Sequence, residues 1–106
     1  MDESTGKTTR APSVLHTIAK LTTLATPGVS RLSTREGLAN VPEDGVKVSV
    51  QEEKIEVEIY IIPGSEGNVR LVAQEVQKRV TRAITEMVGM EVARIDVHVT
   101  DIDLEA

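Results

Sequence analysis

The stretch that most constrains this chain is 68–88, NVRLVAQEVQKRVTRAITEMV. Its apolar residues recur every three or four positions, as they do on one face of a helix. Asn68 can cap the first turn with its side-chain oxygen, and Gly89 can adopt the left-handed conformation that ends a helix. An amphipathic helix of about 20 residues is stable only against an apolar surface. The sequence therefore predicts a long helix packed on a second layer.

Strict alternation of apolar and polar residues predicts the strands that form this second layer. Segments 46–50 and 55–61 alternate in this way, and 52–54 connects them as a hairpin. A third alternating segment begins after the long helix and runs over 91–103. The sequence thus predicts three strands, of which 55–61 is the most apolar and therefore the central one.

The first half of the chain predicts one more helix and a long loop. Apolar residues recur at helical spacing over 13–25, and the Pro-Gly pair that follows ends this helix. Residues 29–45 have no sustained period, and we interpret them as a long loop. Residues 1–11 are polar and predict a disordered N-terminal tail, so that 12–106 forms a single domain.

These elements predict an α+β fold with the order α-β-β-α-β. A strand, a helix and a further strand form a crossover unit, so the third strand should run parallel to the second. The predicted architecture is a two-layer sandwich, in which a three-stranded mixed sheet carries both helices on one face. The outer strands of such a sheet keep an edge that can pair with another chain.

Composition limits the kinds of function that we expect. The net charge is -5, and Tyr60 is the sole aromatic residue besides the histidines, so binding of nucleic acid through basic and aromatic surfaces is not expected. The chain has no Cys and hence no disulfide or thiol chemistry. Its apolar runs are too short to span a bilayer and its start lacks the apolar core of a signal peptide, which predicts a cytoplasmic protein without direct membrane insertion.

Clusters of ionisable residues do not predict an enzyme. Glu56 and Glu58 fall on the polar face of the central strand, so we interpret them as solvated side chains. Asp96 and His98 share one face of the last strand, but no third and fourth metal ligand accompanies them. We therefore expect neither a catalytic residue, nor a metal, nor a cofactor.

One loop leaves an alternative open. Residues 64–67, GSEG, match the GxxG loop with which KH domains clamp a nucleic-acid backbone. In KH domains this loop joins two helices, whereas here it is predicted between a strand and a helix. A KH-like RNA-binding module is thus the alternative to a protein-binding function.

Two surfaces are candidates for docking a partner. The first lies on the long loop and combines basic with aliphatic residues, and the second is a basic patch on the long helix. The residues predicted to bind a partner are Arg31, Leu32, Arg35, Leu38, Lys78, Arg79 and Arg82.

The order and spacing of several short motifs resemble the alkaline-shock protein family of bacterial envelope-stress proteins. These motifs are Gly6-Lys7 with Pro12, VLHTIA at 14–19, PGV at 27–29, GVKVSV at 45–50, Asn68-Val69 and MVGMEVARIDVHV at 87–99. The resemblance implies a small cytoplasmic protein without known catalytic residues. It also implies self-association and, for some members, attachment to the membrane through a separate anchor protein. We therefore expect a non-enzymatic scaffold that forms homo-oligomers or docks to a protein partner.

Overall fold

The structure is a computed structural model that describes residues 12–34, 42, 44–65 and 67–101. Its elements are helix α1 (Pro12–Leu24), strands β1 (Val29–Leu32), β2 (Val46–Gln51) and β3 (Lys54–Pro63), helix α2 (Val69–Val88) and strand β4 (Glu91–Val99). The predicted α+β class is confirmed, with the order α-β-β-β-α-β. The predicted tail, 1–11, and the end of the predicted last strand lie outside the described residues.

Strand β3 is the centre of the sheet, because every other strand pairs with it. β2 pairs antiparallel with residues 54–59 of β3, and β1 pairs antiparallel with residues 61–63. β4 pairs parallel with residues 54–61, which places it on the opposite edge. β2 and β1 therefore follow one another along one edge of β3. The second and third predicted strands correspond to β3 and β4, and their predicted parallel pairing is confirmed.

Within the described residues the sheet has four strands, so the prediction of three was wrong. The additional strand, β1, lies in the segment that was predicted to be a loop. It has only four residues, VSRL, which are too few to show an alternation. β1 can pair with β3 because residues 61–63 of β3 extend past the part that β2 covers. Leu32, the last residue of β1, is only 7% exposed.

The core lies between the two helices and one face of the sheet. The apolar residues of β3 that point to this face are almost fully buried: Ile55, Val57, Ile59 and Ile61. α1 contributes Leu15 and Ala19 to the same core, and α2 contributes Val76, Val80 and Ile84. Because both helices pack on this one core, the predicted two-layer arrangement is confirmed.

The ends of α2 form as the sequence predicts. The side chain of Asn68 accepts a hydrogen bond from the N–H of Leu71 at 3.1 Å, which caps the first turn. Gly89 adopts the left-handed conformation, with φ of 76°, and its N–H donates to the carbonyl of Thr85. The helix therefore ends where the chain must turn back to enter β4.

Gly45 holds the junction at which β1 and β2 meet along β3. Its carbonyl accepts from the N–H of Tyr60 at 2.8 Å, and the N–H of Ser33 donates to the carbonyl of Tyr60 at 2.7 Å. Gly45 has a φ of 84°, and a Cβ atom there would lie 2.5 Å from the carbonyl oxygen of Ser33. Only glycine satisfies both the conformation and the close approach.

This geometry predicts different costs for alanine at two glycines. Gly67 has a φ of 86° but open space around it, so Gly67→Ala should destabilise the fold by about 1 kcal/mol through backbone strain alone. Gly45→Ala adds a steric clash, and we expect a loss of about 3 kcal/mol or more. Urea unfolding of both variants measures the difference. Equal destabilisation would contradict the packing described at Gly45.

Candidate functional site

The second face of the sheet is polar, and neither helix covers it. The pairing register aligns its side chains in rows across β2, β3 and β4. One row contains Lys47, Glu58 and Asp96, and the next contains Ser49, Glu56 and Arg94. We call this surface the open face; its residues are Lys47, Ser49, Gln51, Lys54, Glu56, Glu58, Tyr60, Arg94, Asp96 and His98.

An aromatic pair lies at one end of the open face. Tyr60 on β3 is in register with His98 on β4, and their rings stack with centroids 4.4 Å apart and planes 15° apart. Tyr60 is half-buried and His98 is exposed. The pair thus offers a small flat surface on a face that is otherwise charged.

The Tyr60 hydroxyl donates a hydrogen bond to Oε1 of Glu58 at 2.9 Å. Burial raises the pKa of Tyr60, and the hydrogen bond and negative charge of Glu58, with the charge of Asp96, raise it further. A raised pKa means that the phenol stays protonated at alkaline pH. Tyr60 is therefore held as a hydrogen-bond donor rather than prepared as a base or nucleophile.

Charges on the open face are balanced. On β4 the Nε of Arg94 donates to Oδ2 of Asp96 at 2.8 Å. Asp96 is thus paired with arginine, and His98, its partner in the Asp-x-His motif, stacks on Tyr60. The described residues contain no group of three or more His, Cys, Asp or Glu that could hold a metal ion. What the arrangement offers is an uncovered surface that carries charges of both signs.

The basic patch predicted on α2 borders a shallow groove. Lys78 and Arg82 line this groove of about 620 Å³ between α2 and β4, together with Ile95. Arg79 lines a second groove on the same helix with Lys78 and Arg82, and its Nε donates to Oε2 of Glu75 at 2.7 Å, which lowers the pKa of that carboxyl. The structure thus brings Lys78, Arg79 and Arg82 together on α2 and pairs Arg79 with an acid.

The docking residues predicted on the long loop have separate positions. Arg31 is exposed on β1, whereas Leu32 belongs to the core, so the prediction of Leu32 as an exposed loop residue was wrong. Arg35 and Leu38 lie outside the described residues. The structure therefore shows no docking surface that combines these four residues.

Two features escaped the sequence analysis. The Tyr60–His98 stack depends on the register between β3 and β4, which the alternation of each strand does not determine. Gln77 on α2 donates from Nε2 to the carbonyl of Ile95 on β4 at 3.0 Å, a contact between residues 18 positions apart. Each residue was assigned to the correct element, but no local signal indicated its partner.

Tyr60 is the sole tyrosine of the chain, so the titration of its hydroxyl can be followed without a signal from other tyrosines. We expect Tyr60 to titrate above its ordinary pKa of about 10, and Glu58→Gln to lower the midpoint because the acceptor loses its charge. Ultraviolet absorbance of the phenolate measures both midpoints. Glu56→Gln removes a carboxylate from the same strand face and serves as the control. An unchanged midpoint in the Glu58→Gln variant would contradict the hydrogen bond.

Within the described part of the chain, no helix is long and apolar enough to cross a membrane. Among solved structures, the chain is similar to the MamM CTD. One variant in a manganese form aligns with a TM-score of 0.60 and 13% identity, over 84% of this chain and 96% of that chain. Another variant, in a zinc form, aligns with a TM-score of 0.63 and 12% identity, over 89% of each chain. At this identity the likeness shows the fold alone.

No curated protein matches the chain. A family model does match it, over residues 1–104, which is nearly the whole length. That model describes the alkaline shock protein family as having a cell envelope-related function. The motifs that carried the resemblance and the full-length match agree, and the chain belongs to the alkaline shock protein family.

Proposed function

We propose that the protein is a non-enzymatic scaffold of the bacterial cell envelope, which binds other proteins, including further copies of itself. In this proposal it resides in the cytoplasm and is held at the membrane by an anchor protein. Membership of the family supports the connection to the envelope. The structural observation that carries the proposal is the open face, a broad polar surface left uncovered by both helices.

The chemistry of the open face fits a protein partner better than a small molecule. Small-molecule sites are concave and largely apolar, whereas this face is an uncovered sheet surface with charges of both signs. The basic side chains of Lys47, Lys54 and Arg94 lie among the carboxylates of Glu56, Glu58 and Asp96, with Lys47 opposite Glu58 and Arg94 opposite Glu56. Such a pattern gives specificity and orientation to a partner of complementary pattern rather than general attraction to one sign of charge.

The Tyr60–His98 stack favours the alternative, an RNA-binding module, because bases can stack on exposed rings. The carboxylates of Glu58 and Asp96 flank these rings and would repel phosphates, so this alternative ranks second. Titration with single-stranded RNA at low and high salt distinguishes the two functions. Binding that weakens steeply with salt would favour RNA.

Capture from native membranes tests the scaffold. We expect the tagged protein to retain an envelope protein, and the double variant K47E/K54E to retain much less, because both substitutions reverse charges on the open face. The variant K78E/R82E makes the same change in net charge on α2 and is the matched control. If only K78E/R82E loses the partner, docking occurs through the basic patch on α2. A wild-type protein that retains nothing contradicts the proposal.

A further inference from the structure

One edge of β4 has no partner strand in the part of the chain that the structure describes. β4 is nine residues long, and among the described residues its only partner is β3. The N–H of Thr100 donates to the carbonyl of Ile61 on β3 at 3.2 Å. The backbone N–H and C=O groups of successive residues point to opposite sides of a strand. Since the N–H of Thr100 points toward β3, the backbone groups of Ile95, Val97 and Val99 point away from β3. A row of outward-pointing backbone groups without a partner strand is a template for a further strand. Here the groups of Val97 and Val99 form it, since the carbonyl of Ile95 accepts a hydrogen bond from Gln77.

The contact from Gln77 is consistent with this direction. Its side chain lies outside the sheet and donates to the carbonyl of Ile95, one of the outward-pointing groups. The groove between α2 and β4 begins here and leaves space beside the strand. Beyond Ile95 the strand contains no proline, one of the devices by which proteins usually block edge strands. Its charged side chain, Asp96, lies on the open face and is paired with Arg94.

We propose that this edge pairs antiparallel with the same edge of a second copy, so that the two sheets become one. This inference rests on the proposed function and names the surface that self-association uses. The pairing of β4 with β3 is interrupted before Arg94 and is regular from Arg94 onward. A two-fold axis at Val97 lies near the middle of this regular part, so it allows the longest regular pairing with a second copy. In this register Ile95 lies opposite the partner's Val99.

The charges of the open face support the same register. With the axis at Val97, Asp96 lies opposite the partner's His98, and Arg94 lies opposite the partner's Thr100, so no like charges meet. With the axis at Asp96, two carboxylates would lie directly opposite each other, which is destabilising. A second copy is therefore a complementary partner for this edge, and it would extend the open face across both copies.

Val97→Pro tests the edge directly. Since the N–H of Val97 points away from β3, proline removes the donor to a second copy without removing a bond within the sheet. We expect the variant to fold and its dimer dissociation constant, measured by analytical ultracentrifugation, to rise by about 100-fold, because two symmetric hydrogen bonds are lost. Near-wild-type circular dichroism confirms folding.

A charge exchange tests the register even if the proline variant does not fold. His98→Glu places a carboxylate opposite the partner's Asp96 and should weaken the dimer. The double variant D96K/H98E restores opposite charges and should restore the dimer. Ser49→Glu introduces the same charge on β2, far from this edge, and should leave the dimer intact.

The outcomes separate this inference from the proposed function. A dimer that persists in folded Val97→Pro, or that is insensitive to His98→Glu, overturns the β4 interface but leaves capture of an envelope protein unaffected. A wild-type protein that stays monomeric at every concentration also overturns the interface. Loss of capture from membranes with an intact β4-dependent dimer contradicts docking to an envelope partner and leaves the interface in place.

Discussion

Every strand of this sheet is held through β3. Its apolar side chains at alternate positions are buried between the sheet and both helices, and both of its edges are used along most of its length. Ile59 illustrates the constraint: it is fully buried, lies opposite Val46 on one side and opposite Val97 on the other. A shift of β3 by one residue would turn its carboxylates into the core and its isoleucines to solvent. The register of the whole sheet follows from this one strand.

The open face is the direct consequence of this arrangement. Two helices are enough to cover one side of a narrow sheet, and the chain provides no third layer within its described residues. The uncovered side must then be polar. Opposite charges meet across neighbouring strands at Lys47–Glu58 and at Glu56–Arg94, whereas Glu58 lies opposite Asp96. The surface proposed for docking thus arises from the same alternation that builds the core. Family membership connects the protein to a cell envelope-related function.

Periodicity was sufficient to predict most of the fold. The long helix, its caps, the hairpin and the parallel third strand all follow from spacings of two or of three to four residues. β1 could not be predicted, because four residues carry no period and its stability comes from pairing with residues 61–63. Ile62 gave a partial signal, because an apolar residue at this position breaks the alternation of β3. In the structure Ile62 is buried at the point where β1 pairs with β3.

The candidate site was less accessible to prediction than the fold. The polar faces of β3 and β4 were each assigned correctly, but the stack of Tyr60 on His98 requires the register across a crossover. That register depends on contacts between residues far apart in the sequence, which form only in the assembled core. The basic residues of α2 were predicted as one patch and lie together on the helix, but the sequence did not show that Arg79 is engaged by Glu75, four residues earlier, or that Lys78 and Arg82 also line the groove beside β4. Local spacing shows which side chains share a helix face but not which neighbour each one selects.

The junction at Gly45 has an evolutionary consequence. Ser33 and Gly45 both bond to the backbone of Tyr60, so the two ends of segment 33–45 meet at a single residue of β3. Closing a longer segment between two such points costs little, about 0.6 kcal/mol for each doubling of length. Relatives of this protein can therefore gain or lose residues between these two points while the strands keep their alignment, and sequence diversity within the family should concentrate there.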